Sequence, residues 1–359
     1  MSGASTERRQ GNRLGFLDAV RGVAALVVAV GHGSERLFPG YLERSNRWFS
    51  LGRLGVCAFF LVSGYVIPIT LERGGGLRAF AISRACRLYP LYWASLAAIL
   101  LVSVATPEAL PVDFRDRMAG AAFVNVTMFQ EFAGVPHAIG LYYTLTIELV
   151  WYIACAALFA LGWLHRTELI GWIAIAGLAV AGVGVPMFAD RHVPFSTGFY
   201  LVTMLVGTAF ARWHAGVLDA RKVTMLAVAT LAVGAVGAWA NYVHLGGTEP
   251  EGALGWSSAV LPWVVAYTGF AVAQSMRTRT FPLALTWLGL VSYSVYLVHP
   301  VLLPLVGGPD RPFVRLVVLL VASVAIAAVT QRWIEAPAQA FSRTWRKRAA
   351  GEPATVAGP

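Results

Sequence analysis

Long runs of apolar residues recur along almost the whole chain, and short polar segments separate them. A run of about 20 mostly apolar residues is long enough to cross the hydrocarbon core of a bilayer as a helix. By this criterion the sequence predicts ten spans, with irregular stretches at 106–140 and 190–194. The predicted spans are 14–34, 51–71, 89–105, 141–164, 169–188, 195–213, 223–244, 254–275, 282–306 and 312–333. The pattern therefore predicts an all-α, polytopic membrane protein.

The composition supports a membrane protein and excludes several other classes. Of the 359 residues, 57% are apolar and 13% are charged, about half the charged fraction of a typical soluble domain. Disordered, collagen-like and disulfide-rich chains each need a composition that is absent here. The cysteines Cys57, Cys86 and Cys155 lie in or beside apolar runs and lack metal-ligand spacing, so we expect packing roles and no metal site.

The positions of the charges explain the net charge of +10. With a cytoplasmic N-terminus, 18 of the 28 Lys and Arg residues fall on the inner side and nine on the outer side. This bias follows the positive-inside rule and predicts that both termini are cytoplasmic. The basic excess is then a signal of topology, and we expect no nucleic-acid partner.

The predicted organisation is one membrane-embedded domain at 13–335. It lies between a disordered cytoplasmic N-terminus at 1–12 and a basic cytoplasmic tail at 336–359. Arg21 interrupts the first apolar run, and no small-residue cleavage site follows it, so we expect this span to be retained.

Ionisable groups inside a bilayer are costly, which makes each of them a functional candidate. Arg21 and His32 are eleven residues apart, which places them within roughly 20° of one helix face and about 16 Å apart along the axis. Histidine is suited to proton exchange near neutral pH. The alternatives are an ion pair of Arg21 with Asp18 and a hydrogen-bonded interfacial histidine.

Two further motifs lie in the second and third spans. Ser63 and Gly64 follow a Phe-Phe pair and would let a helix or a ligand approach closely, although helix packing alone explains them equally well. Arg84 and Arg87 lie on one side of a helix start, and guanidinium groups suit phosphate oxygens. The alternative is ordinary positive charge on the inner side.

Polar groups also occur in the fourth and ninth spans. Glu148 lies about two turns into the fourth span, where a carboxylate must pair, stay protonated or line a wet cavity. Tyr293, Tyr296 and His299 form a stripe on the ninth span, typical of a polar lumen or of phenols satisfied inside a bundle.

The predicted topology places these groups in two layers. The arginines lie toward the cytoplasm, whereas His32, Glu148 and His299 lie toward the outside. We expect a water-filled passage that joins the two layers, so that a donor entering at the arginines can reach His32.

Five motifs in chain order together resemble the acyltransferase 3 family of membrane O-acyltransferases. They are Arg21-x10-His32, Phe-Phe-x-x-Ser-Gly at 59–64, Arg84-x-x-Arg87 followed by Tyr-Pro-Leu-Tyr-Trp, Thr-Leu-x-x-Glu ending at Glu148, and Tyr-Ser-x-Tyr-Leu-x-His at 293–299. The resemblance extends over essentially the whole chain. It implies a plasma-membrane enzyme that moves an acyl group, most often acetyl, from cytoplasmic acyl-CoA to a hydroxyl. The acceptor would be a glycan, a lipid-linked sugar or a secondary metabolite. Acyl-CoA would be a co-substrate, with no permanently bound cofactor.

The resemblance also implies roles for individual residues. His32 would be the general base, or alternatively the carrier of an acyl-histidine intermediate. Glu148 would orient and stabilise its imidazole. Arg84 and Arg87 would clamp the phosphates of coenzyme A, and Arg21 would face the donor.

The remaining candidates are weaker. Ser63 and Gly64 would shape the acyl tunnel, and Tyr293 and His299 are further site candidates. The segment before Glu148 departs from the Trp-Ser-Leu pattern of many members.

Two questions stay open from the sequence. About 25 residues follow the last span, so a large acceptor would require a separate extracytoplasmic partner protein. A transporter of acyl groups or sugars is the alternative function, although no inverted halves with matching broken helices are visible.

Overall fold

The computed structural model describes residues 14–246 and 255–349, and the predicted disordered segment 1–12 lies outside them. Within these residues the chain is helical and contains no strand. The long helices are α1 Gly15–Leu37, α2 Leu51–Arg73, α3 Leu77–Ala105, α4 Tyr142–Ala160, α5 Thr167–Ala189, α6 Phe195–His214, α7 Ala220–His244, α8 Trp256–Ser275, α9 Leu283–Leu302, α10 Pro312–Thr330 and α11 Ala336–Ala349. Short helices lie at Tyr41–Arg47, Pro107–Ala109, Val112–Arg115, Met118–Asn125 and Leu303–Leu305.

The helices confirm the predicted all-α, polytopic architecture. In the described part of the chain, nine helices are long and apolar enough to cross a membrane. The predicted sixth span is α6, which is 20 residues long but less apolar than the other nine. Twelve of its residues are buried, since α6 packs inside the bundle and needs less apolar surface.

The centre of the bundle is formed by α1 and α2. Helix α1 packs most extensively against α9 and α2, and α2 packs most extensively against α6. Glycines allow these close approaches: a Cβ atom at Gly289 would overlap the carbonyl oxygen of Asp18, and one at Gly64 would overlap that of Met204. Close backbone contact at small residues is typical of helix packing in membranes.

Helix α3 begins at Leu77, twelve residues before the predicted start at 89. The stretch 77–88 contains Arg78, Arg84 and Arg87, which interrupt its apolar run. The arginines are accommodated by aromatic and acidic partners, described below, and the helix continues through Pro90. Arg84 and Arg87 therefore lie within the third helix rather than at its opening.

Helix α4 begins in the middle of the bundle. The hydroxyl of Tyr142, its first residue, lies 2.8 Å from that of Ser95 on α3, about 15 Å before the end of α3 at Ala105. The preceding segment is buried at Met128, Gln130, Ala138 and Ile139. Asn125 holds it, since the Asn125 amide donates to the carbonyls of Ala121 and Pro136. Irregular backbone is tolerated at membrane depth when protein satisfies its polar groups.

Within residues 14–246 and 255–349, three wide, π-helical turns interrupt or join the long helices. They lie at Val180–Gly184 in α5, at Ala240–His244 in α7, and at Gln331–Glu335 between α10 and α11. The last of these turns carries Glu335 into the interior. Helix α11 then packs against α3, and so the first part of the predicted tail is an ordered helix.

Candidate active site

A cavity lies among α1, α2, α3, α4 and α9. Its polar lining is Arg21, Ser63, Arg87, Thr144, Glu148, Tyr293 and Tyr296, and its apolar lining is Val56, Phe59, Phe60, Leu88 and Leu145. Five of the nine predicted site residues therefore share one cavity. Cations and a carboxylate enclosed together in a membrane bundle mark a candidate active site.

Glu148 belongs to this cavity, so its predicted place in the outer layer with the histidines is wrong. Its Oε1 accepts hydrogen bonds from the hydroxyls of Ser63 at 3.3 Å and Tyr152 at 2.6 Å. The physical reason is the start of α4 inside the bundle, which lowers Glu148 to the level of the arginines. Tyr152 was missed as a partner, although its i+4 spacing from Glu148 was a visible signal.

Arg87 is held by an acidic residue that the sequence analysis did not select. Its Nη1 lies 2.5 Å from Oε2 of Glu335, and the hydroxyl of Ser294 donates to Oε1 of Glu335 at 2.5 Å. Glu335 is 2% exposed, while the Arg87 guanidinium also lies 5.1 Å from the ring centre of Tyr293. Extending the last predicted span by two residues would have identified Glu335 as an intramembrane carboxylate.

The other two arginines lie near aromatic rings, in the case of Arg84, or near charged groups, in the case of Arg21. Arg84 does not line the cavity. Its guanidinium lies 5.7 Å from the ring centre of Phe80 and 5.8 Å from that of Tyr152. Its Nε is buried without a hydrogen-bond partner. Arg21 lines the cavity and interacts electrostatically with Arg87 and with nearby carboxylates, including Glu148.

The two predicted histidines contact each other rather than Glu148. Nδ1 of His32 lies 3.2 Å from Nε2 of His299, and the two rings are nearly parallel, with an angle of 16° and centres 5.5 Å apart. The predicted pairing of Glu148 with His32 is therefore wrong, since Glu148 bonds Ser63 and Tyr152 instead. His299 is fully buried, whereas His32 keeps partial exposure.

An aromatic layer lies between the cavity and the histidine pair. Tyr296 lines the cavity, packs edge-on against Phe59 with ring centres 5.5 Å apart, and also contacts the ring of His299 at 6.0 Å. Its hydroxyl lies 2.8 Å from that of Thr144. His32 does not line this cavity, so the expected continuous passage is interrupted at Tyr296 in this conformation.

Gly64 lies outside the cavity, against the backbone of α6. Thr208 of α6 donates to the carbonyl of Gly64 at 2.9 Å, so this glycine brings two helices together. In the described part of the chain, no three His, Cys, Asp or Glu residues are grouped as a metal site would require.

A family model described as an acyltransferase domain matches residues 14–332. The chain belongs to the acyltransferase 3 family. This membership, together with the membrane helices, makes the protein a multi-pass O-acyltransferase of the plasma membrane. Every residue of the cavity and both histidines lie within the matched region.

Two curated proteins are similar to this acyltransferase. Nodulation protein 10 of Rhizobium leguminosarum bv. viciae is 25% identical over 370 residues, which cover 94% of this chain and 96% of that protein. Peptidoglycan O-acetyltransferase OatA of Listeria monocytogenes is 24% identical over 361 residues, which cover 89% of this chain and 55% of that protein. No solved structure matches this acyltransferase significantly.

Proposed function

We propose that this acyltransferase uses cytoplasmic acyl-CoA, most simply acetyl-CoA, and transfers the acyl group to a hydroxyl of a glycan, a lipid-linked sugar or a secondary metabolite. Acyl-CoA acts as a co-substrate and is not permanently bound. The observation that carries this proposal is the cavity that Arg21 and Arg87 line inside the membrane bundle.

The arginines supply the donor chemistry. Coenzyme A carries a diphosphate and a third phosphate at one end, and guanidinium groups bind phosphate oxygens through charge-assisted hydrogen bonds. Arg84 has a buried Nε without a partner, so it retains a donor for a ligand. The inward bias of basic residues along the chain favours a cytoplasmic position for this end of α3.

The separation of Arg21 and His32 along α1 suits the shape of the donor. Arg21 and His32 are separated by about 16 Å along the helix, and the flexible arm of coenzyme A likewise separates its phosphates from its thioester. A donor whose phosphates lie at the arginines therefore directs its thioester toward His32. The rings of Tyr296 and Phe59 must move aside for this approach.

His32 is the proposed general base. Its imidazole takes the proton of the acceptor hydroxyl while the oxygen attacks the thioester carbonyl. The new acyl–oxygen bond forms, the carbon–sulfur bond breaks, and the proton on His32 passes to the departing thiolate. Ester and free coenzyme A are the products, and His32 returns to its neutral state.

A thiol-release assay on the purified protein tests the proposal. Wild-type protein in detergent should release free thiol from acetyl-CoA when a hydroxylated acceptor is present, and the acceptor should gain the mass of one acyl group. Cells that express the protein supply the acceptor pool for the same mass measurement. Absence of both thiol release and mass gain would reject the acyl-CoA proposal.

Two variants on α3 test whether Arg84 contacts the phosphates of the donor. Arg84→Ala should raise the donor KM about tenfold, because it removes one charge-assisted hydrogen bond. Such a bond contributes about 1.5 kcal/mol, which corresponds to a factor of about ten. Arg78→Ala removes an arginine of the same helix whose guanidinium lies over the ring of Trp345, 5.1 Å from its centre. It should leave the donor KM unchanged. Equal KM values in the two variants would contradict a phosphate contact by Arg84.

A further inference from the structure

The hydrogen bonds of His299 determine which of its ring nitrogens carries the proton. Its Nδ1 lies 2.9 Å from the carbonyl oxygen of Val295, and a carbonyl can only accept. Pro300 has no N–H, so the carbonyl of Tyr296 lacks its usual helical donor, and the His299 ring interacts with this carbonyl as well. Nδ1 of His299 is therefore the protonated nitrogen.

The proton on His299 in turn fixes the tautomer of His32. In the neutral ring of His299, Nε2 has a lone pair and no hydrogen. Nδ1 of His32 lies 3.2 Å from this Nε2 and must donate to it. The same rule then leaves Nε2 of His32 unprotonated, with its lone pair directed away from His299.

The side of His32 that carries Nε2 faces a glycine at the start of α2. A Cβ atom at Gly52 would lie 3.3 Å from Nε2, and glycine leaves this position empty. His32 is also only partly buried, in contrast to the fully buried His299. The unprotonated nitrogen is thus on the less buried member of the pair.

We propose that His299 is a positioning residue, which holds His32 in the tautomer whose Nε2 is free to accept the proton of the acceptor hydroxyl. This inference rests on the proposed function of His32 as general base. When Nε2 takes the proton, the Nδ1–H of His32 stays hydrogen-bonded to His299, so the proton can leave only through Nε2 toward the thiolate. The role is that of the carboxylate in a Ser-His-Asp triad, performed by a neutral ring.

Two substitutions at position 299 separate this role from packing. His299→Gln can place a carbonyl oxygen near the site of Nε2, whereas His299→Phe keeps a ring but offers no acceptor. Loss of the correct tautomer in a Ser-His-Asp triad costs on the order of 10⁴ in kcat. For a neutral partner we expect His299→Phe to lower kcat by about 10²-fold or more. The Gln variant should retain activity within about tenfold, and the donor KM should stay unchanged in both.

A buried hydroxyl on the same helix provides the control. Ser292 donates to the carbonyl of Gly289 at 2.8 Å and lies outside the cavity. Ser292→Ala should therefore keep the wild-type kcat and KM. Equal activity of the Phe and Gln variants at position 299 would overturn the positioning role.

A spectroscopic measurement tests the tautomer without any turnover. Nitrogen-15 NMR of histidine-labelled protein, with the His32 signals assigned by their loss in His32→Gln, should show a protonated Nδ1 and an unprotonated Nε2. The His299→Phe variant should lose this preference. A protonated Nε2 on His32 of an active wild-type protein would overturn the inference alone. The expected NMR pattern in a protein that does not consume acyl-CoA would reject the proposed donor and leave the positioning inference standing.

Discussion

Arg87 on α3 and Glu335 in the turn Gln331–Glu335 form an ion pair across 248 positions of the chain, with 2.5 Å between Nη1 and Oε2. The side chain of Glu335 is 1% exposed. Removing one partner of a buried pair leaves the other charge uncompensated, at a cost of about 3–5 kcal/mol. We expect Arg87→Ala to lower the stability by this amount, measured as the free energy of unfolding in detergent.

A second variant separates this structural role of Arg87 from donor binding. Arg87→Ala combined with Glu335→Ala removes both charges and should recover most of the lost stability. The donor KM of the double variant should nevertheless stay raised, because the cavity has lost a guanidinium. A wild-type donor KM in the stable double variant would show that Arg87 serves the fold alone.

His32→Ala should abolish acyl transfer while leaving membrane insertion and thermal stability intact. A general base contributes about 10²–10⁴-fold to the rate, so kcat should fall by at least this range. His165→Ala, a change at an exposed histidine outside the long helices, is the matched control and should behave as wild type. Wild-type turnover in His32→Ala would remove the catalytic assignment.

Glu148→Gln should reduce kcat about tenfold without preventing donor binding. The amide keeps an oxygen that accepts from Ser63 and Tyr152, but it loses the charge that these hydroxyls stabilise. Hydrogen bonds to charged groups contribute about 1.5–3 kcal/mol, which sets the expected size. Steady-state kinetics with varied donor measure both constants. A variant that fails to fold would indicate a structural role for Glu148.

Gly64→Ala should destabilise the protein by about 1–3 kcal/mol or more, because its methyl group would overlap the Met204 carbonyl. The matched control is Gly269→Ala in α8, where an added Cβ meets nothing within 4 Å. That variant should leave the melting temperature unchanged or raise it. Similar melting temperatures for the two variants would contradict the close contact between α2 and α6.

The sequence predicted the helices well because apolar runs of bilayer length are a local property. The observed bounds agree with the ten predicted spans, apart from the early start of α3 at Leu77. The depth of Glu148 in the bundle could not be predicted from apolar runs. It depends on the segment before α4, which is neither apolar nor periodic and which Asn125 holds through a hydrogen bond to the carbonyl of Pro136.

The sequence also could not predict which polar groups contact each other. Motifs identified Arg87 and both histidines, but Glu335 and His299 reach their partners from helices more than 240 residues away. Spacing along one helix constrains neighbours three or four residues apart and says nothing about partners on another helix. The family resemblance implies that Glu148 orients His32, whereas His299 is the residue that contacts it.

The wide turn that ends α10 has a consequence for the length of the last span. Such a turn accommodates one residue more than an α-helical turn, and one residue corresponds to about 100° of rotation. Deletion of Ile334 would leave a segment that still crosses the bilayer but would swing the following carboxylate away from α3. The length of this segment is thus determined by the direction in which its carboxylate must point as well as by the thickness of the membrane. For this reason homologous helices of equal hydropathy are not interchangeable at this junction.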